Sequence, residues 1–75
     1  MQFPRLKDLR EDMDLNQTEI AKIIFTSQPI YSRYERGVRT IPIESLLILA
    51  DFYNVSTDYI LGRTNVKEMN RKKRI

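Results

Sequence analysis

The groups in this chain best placed to do chemistry lie between Ser27 and Gly37, in the run SQPIYSRYERG. The Ser27 hydroxyl can accept a bond from a backbone N–H one turn on, which marks the start of a helix. Pro29 falls in the first turn, where its missing N–H costs nothing, and Gly37 supplies the left-handed residue that closes a helix. At about 3.6 residues per turn, the roughly nine residues between these signals divide into two faces. Tyr31 and Tyr34 share one, and their aromatic area assigns it to the core. Gln28, Pro29, Ser32, Arg33 and Arg36 share the other, which offers amide, hydroxyl and guanidinium groups and almost no acid. Such a face can pair with phosphates and hydrogen-bond to base edges, so it suits a groove of DNA.

Catalysis has little to work with. The chain has no His and no Cys, which removes imidazole acid–base chemistry, disulfides and zinc sites of the usual ligand types. Lys7, Asp8, Glu11 and Asp12 spread around one helix without a pocket, which makes them ordinary surface rather than paired general acids and bases. There is no glycine-rich phosphate loop and no nucleophile with an evident base. No enzyme, cofactor or metal site is therefore expected. The longest wholly apolar run, Leu46 to Ala50, has five residues, against about twenty for a membrane span. The start, MQFPRLKDLR, lacks an apolar signal region. The expectation is a soluble cytoplasmic protein without a membrane partner.

The 75 residues carry a net charge of +3, enough chain for one domain with a small core. The charge is unevenly spread. Residues 27–41 set Arg33, Arg36 and Arg39 against Glu35, and residues 63–75 set six bases against Glu68, whereas residues 42–62 carry only Glu44, Asp51 and Asp58. Two basic regions around an acidic one point to an anionic partner.

The elements that position these groups read as helices throughout. Phe3, Leu6, Leu9 and Met13 recur at helical spacing behind Pro4. Asn16 and Glu19 form a capping-box pattern that opens a second helix, with Ile20, Ala21 and Ile24 inward. Phe25 and Thr26 separate it from Ser27, and two helices so closely joined read as a helix-turn-helix. After the loop VRTIP, Pro42 opens a fourth helix whose Ile43, Leu46, Leu47, Ala50 and Tyr53 form the expected inner stripe. Asn54 ends it. Ser56 caps a fifth helix through Leu61, and Gly62 closes that one. Apolar residues on these last two helices exceed what one small core can take. Phe52, Tyr59, Ile60 and Leu61 are the expected homodimer interface, and residues 64–75 are expected to be a basic tail, frayed helix or disordered.

With these elements placed, residues 9–63 resemble the phage-repressor type of helix-turn-helix, the lambda repressor and Cro class also called the XRE family. The resemblance is carried by LNQTEIAKI, SQPIYSRYERG, VRTIP and LADFYNVSTDYILGR in that order. It implies an all-α, compact five-helix domain over residues 1–63 that binds double-stranded operator DNA as a dimer. By that resemblance Gln28, Pro29, Ser32 and Arg33 are base-facing positions. Asn16, Gln17, Ser27, Arg36, Arg39 and Thr40 are backbone contacts, and Arg10 with Glu35 is a salt bridge locking the first helix to the third. Two positions depart from the family pattern. Phe25 stands where glycine is common, and a left-handed Phe there carries strain of about 1–2 kcal/mol; Thr26 stands at the apolar position after it. The resemblance implies a transcriptional regulator, most simply a repressor, and the alternative is a protein-interaction module that meets an antirepressor or toxin partner.

Overall fold

The computed structural model describes residues 3–67. Among the described residues there are five helices and no strand: α1 (Pro4–Asp12), α2 (Gln17–Ile23), α3 (Gln28–Arg36), α4 (Ile43–Tyr53) and α5 (Thr57–Leu61). Three of them start on a side-chain cap. At α2 the capping box closes in both directions, with the Glu19 N–H donating to Asn16 Oδ1 and the Asn16 N–H donating to Glu19 Oε1, each at 2.8 Å. Ser27 caps α3 and Ser56 caps α5. Pro42 is the extended residue before α4 rather than part of its first turn, a position its fixed φ also allows.

The helix ends share one device. Asp14, Phe25, Gly37, Asn54 and Gly62 all have positive φ. The residue after each donates its N–H back across the last turn: Leu15 to Arg10, Thr26 to Ala21, Val38 to Arg33, Val55 to Ala50 and Arg63 to Asp58, at 2.8–3.1 Å. These bonds satisfy carbonyls that a helix end would leave orphaned and reverse the chain in very few residues. Glycine, Asn and Asp reach the left-handed region at little cost, whereas Phe does not. The joint between α2 and α3 is thus an ordinary left-handed closure made by an unusual residue. It is also one residue longer than the sequence implied, because α2 gives out at Ile23.

Packing places α2 and α1 against α3, and α5 against both α1 and α4. Leu6, Ile20, Tyr31, Leu49 and Ile60 are fully enclosed at the centre. Ala21 is buried too, and its small side chain lets α2 approach α3. The stripe expected on α4 is only half right. Leu46 and Ala50 face inward, but Ile43 is 74% and Leu47 51% exposed, and Leu49 takes the inner position instead. Leu46, Leu49, Ala50 and Tyr53 form the true i, i+3, i+4, i+7 set. On a helix apolar nearly all round, periodicity leaves the choice of face to tertiary contacts.

Two further corrections concern the C-terminal part. Ile60 lies in the chain's own core and has no surface left for a twin, unlike its neighbours Phe52, Tyr59 and Leu61. Residues 64–67 are neither helix nor loose chain. The Arg5 guanidinium donates to the carbonyls of Tyr59 and Thr64 and to Asn65 Oδ1, and it stacks 4.0 Å from the centre of the Tyr59 ring. The Ser56 N–H donates to the Lys67 carbonyl at 2.9 Å. One side chain near the start of the chain thus clasps the end of the domain. The rest of the expected tail, with Arg71 to Arg74, lies outside the described residues.

Phe25 is 87% exposed, so its left-handed backbone gains almost nothing from packing. Phe25→Gly should relieve about 1–2 kcal/mol of strain and lose about 0.4–1 kcal/mol to the more flexible unfolded chain. The expected net is a gain of about 1 kcal/mol, a rise in melting temperature of roughly 4–8 °C for a domain of this size. A thermal melt of the variant measures it, and a lowered transition would mean that the ring stabilises the turn.

Candidate nucleic-acid interface

Under the outward face of α3 lies a polar relay, buried at its Arg10–Glu35 end and exposed where Gln17 meets Gln28, that begins on α1. Arg10 donates from Nε to Glu35 Oε2 at 2.7 Å and from Nη2 to Glu35 Oε1 at 3.2 Å. Its remaining Nη1 donates to the Leu15 carbonyl at 2.9 Å, which also fastens the loop into α2. The two side chains are 12% and 4% exposed. Glu35 Oε1 accepts a further bond from Gln17 Nε2 at 3.0 Å, and Gln17 Oε1 in turn accepts from Gln28 Nε2 at 2.7 Å. A single chain of polar contacts therefore runs from α1 through the inner face of α3 and the first residue of α2 to the first residue of α3.

Burial pushes the Glu35 carboxyl up, but the bonds from Arg10 and Gln17 and the nearby Tyr31 hydroxyl outweigh it and hold the group below its ordinary value. The Tyr31 hydroxyl is enclosed without a hydrogen-bond partner and acts on Glu35 as a favourable dipole. The Arg10 guanidinium, bonded to Glu35, is held above its own ordinary value in spite of desolvation. Burial, with the Glu35 charge beside it, drives the Tyr31 hydroxyl strongly up. The same two causes raise Tyr53. Both phenols stay neutral. Tyr31 and Tyr34 meet edge to face at 6.4 Å in the core, so neither ring is available to stack on bases.

The outward face lies over this relay and shares Gln28 with it. Gln28, Pro29, Arg33 and Arg36 are exposed and Ser32 is half-buried, and Arg36 Nε donates to Ser32 Oγ at 3.3 Å. Arg39 and Thr40 are exposed in the loop that follows α3. A cleft of about 490 Å³ opens beside this face, between Lys7 and Glu11 of α1, Gln17, and Ser32 and Arg36.

Several candidate contacts are narrower than their residue types implied. Gln17 has its amide oxygen and one amide N–H engaged, so what it can offer an anion is the second amide N–H and its backbone N–H in the first turn of α2. Asn16 spends its oxygen on the cap and keeps its amide N–H₂. Gln28 spends an N–H on Gln17 and keeps its oxygen. The link between Gln17 and Gln28 has no signal in the sequence, because two glutamines eleven positions apart meet only once both helices are packed.

A family model described as helix-turn-helix matches residues 6–60. The chain is 39% identical over 66 residues to the HTH-type transcriptional regulator ImmR of Bacillus subtilis (strain 168), a match covering 88% of this chain and 52% of that protein. It is 34% identical over 71 residues to the cryptic phage CTXphi transcriptional repressor RstR of Vibrio cholerae, covering 92% and 64% respectively. It is 39% identical over 57 residues to the antitoxin PezA of Streptococcus pneumoniae, covering 76% of this chain and 36% of that one. The chain thus spans about half to two thirds of the length of the two regulators.

Removing one partner of a buried pair strands the other, at a cost of about 3–5 kcal/mol against at most about 1 for an exposed pair. Glu35→Ala should therefore lower the melting temperature sharply. The pH dependence has a definite sign. Because the folded Glu35 titrates below its unfolded value, its contribution is complete above the ordinary carboxylate range and is lost as pH falls through the folded value. Denaturant titrations at a series of acidic pH values should show that loss in the native chain and a shallower one in Glu35→Gln. Identical acid limbs in the two proteins would remove Glu35 from the account.

Proposed function

The chain belongs to the helix-turn-helix family, and on that premise we propose that it is a sequence-specific regulator of transcription, most simply a repressor, binding a palindromic operator as a homodimer. The observation that carries the reading is the outward face of α3, which exposes Gln28, Arg33 and Arg36 without an acid among them while its inner face is locked to α1 and α2. A rigid short helix with such a face can enter the major groove. The mechanism is occlusion of a promoter, by two copies of α3 lying about 34 Å apart in successive grooves.

The residues divide by role. Arg33 has the forked donors to read guanine O6 and N7, Gln28 reads through the oxygen that Gln17 leaves it, and Ser32 with Pro29 lines the same face. The backbone N–H of Gln17, the side chains of Asn16 and Ser27, and Arg36, Arg39 and Thr40 hold phosphates on either side. Phe52 and Leu61, with the exposed Ile43 and Leu47 of α4, supply apolar surface for the twin; Tyr59 contributes the edge that Arg5 leaves uncovered. No helix among the described residues is long and apolar enough to cross a membrane.

A second reading follows from the likeness to a protein named as an antitoxin: the domain meets a protein partner, an antirepressor or toxin, and binds DNA only with it. Selection of bound duplexes from random DNA by the isolated chain separates the two. Recovery of a palindrome supports the first, and recovery only after a partner is added supports the second. Sedimentation of the protein on that duplex should give two protomers per site, and a single protomer would remove the dimer from the proposal.

Arg33→Ala should cost about 1–3 kcal/mol on the selected site and relax preference at one symmetric pair of positions. Arg39→Ala should weaken all sequences alike. Binding of both variants to a panel of single-base changes at one fixed salt decides it. A flat loss for Arg33→Ala would place that side chain on the backbone.

A further inference from the structure

We propose that Phe25 is a specificity residue, whose ring makes apolar contact with thymine methyl groups at the edge of the major groove where α3 enters. The proposal rests on the reading of α3 as the base-reading helix and deepens it.

The first support is an uncompensated strain. Of the five left-handed helix closures, four use Gly, Asn or Asp, and the fifth uses Phe25. A residue held in that region without packing around it is strain that finds no return inside the chain, and such strain concentrates where a contact is made with something else. The second support is position. Phe25 stands two residues before the Ser27 cap, and the Thr26 N–H bond to the Ala21 carbonyl at 2.9 Å fixes the backbone around it. The ring is therefore carried on a rigid turn at the leading end of α3. Phe25 is the most exposed of the large apolar residues at 87%; Ile43, Leu47 and Phe52 lie on α4, and Met13, Val38 and Val66 lie outside the helices.

The third support is what this end of α3 lacks. Gln28 has given one amide N–H to Gln17, and Pro29 has no backbone N–H at all. Each removes one donor from the tip, and apolar surface from Phe25 and Pro29, both exposed, lies beside the donors that Ser27 and Gln28 keep. Of the features that a base pair shows in the major groove, the one an apolar surface distinguishes is the C5-methyl of thymine, for which Phe is a suitable partner.

The test uses the full chain and a duplex recovered from random DNA, in which each thymine of a half-site is replaced in turn by deoxyuridine. That change removes one methyl and leaves every hydrogen-bonding group in place. Burial of one methyl corresponds to roughly a fourfold change in binding, so wild type should weaken by about that factor at one symmetric pair of positions. Phe25→Gly should bind more weakly than wild type to the thymine duplex and lose the difference between thymine and deoxyuridine there. Phe25→Leu should keep it, and Arg33→Ala should keep it while losing preference elsewhere. Equal thymine sensitivity in wild type and Phe25→Gly overturns the proposal while leaving α3 as the reader. A recovered half-site without thymine overturns it as well. If wild type recovers no duplex at all, the DNA-binding reading itself fails, and the role of Phe25 falls with it.

Discussion

The Arg10–Glu35 pair is the constraint on which the geometry of the outward surface depends. It joins α1 to the inner face of α3, and through Gln17 it takes in the start of α2. Two charges removed from water are costly, and their attraction repays that cost only when the remaining hydrogen-bonding capacity is also used. Here it is: Arg10 spends its third nitrogen on the Leu15 carbonyl, and Glu35 accepts from both Arg10 and Gln17. An apolar trio of similar volume would fill the space, but it would not fix direction. A bidentate pair has one good geometry, and the helix that bears Glu35 is held in rotation as well as in place.

Rotation matters because α3 is short. Nine residues of isolated helix are marginal in water, so both its existence and its aim come from what lies behind it. Tyr31 and Tyr34 supply apolar area and an edge-to-face contact, and Glu35 supplies register. The consequence is that the two faces of α3 cannot be varied independently. A change on the inner face that turns the helix by a fraction of a residue moves Arg33 and Gln28 together relative to any groove they enter.

Much of this was legible in the sequence, and the reasons differ by element. Helix starts were readable because Asn16, Ser27 and Ser56 are local signals that act within four residues, and the ends at Gly37, Asn54 and Gly62 for the same reason. The left-handed strain at Phe25 could be anticipated only through the family resemblance, since nothing local marks Phe as a closing residue. The expected inner stripe of α4 included Ile43 and Leu47 and left out Leu49, because apolar residues run nearly round the helix and tertiary contacts make the choice. Arg5 gave no signal at all. A lone arginine beside Pro4 looks like surface until the chain returns, nearly sixty residues later, to present the Tyr59 ring and two carbonyls to it.

The clasp at Arg5 and the relay at Arg10 divide the molecule between them. Both arginines are on α1, and they engage different elements: Arg10 the helices that form the outward surface, Arg5 α5 and residues 64–65 after it. α1 thus fixes both surfaces, while its Lys7 and Glu11 line the cleft beside the first. A guanidinium suits that task because its planar fork can hold several carbonyls or a carboxylate at once, and a flat face remains for an aromatic ring. Lysine at position 5 would keep the charge and lose the fork, so the distance between the α3 face and the exposed side of α4 and α5 would no longer be held through α1. For a protein whose proposed dimer must set two copies of α3 about one helical turn of DNA apart, that distance is the quantity the fold has to conserve.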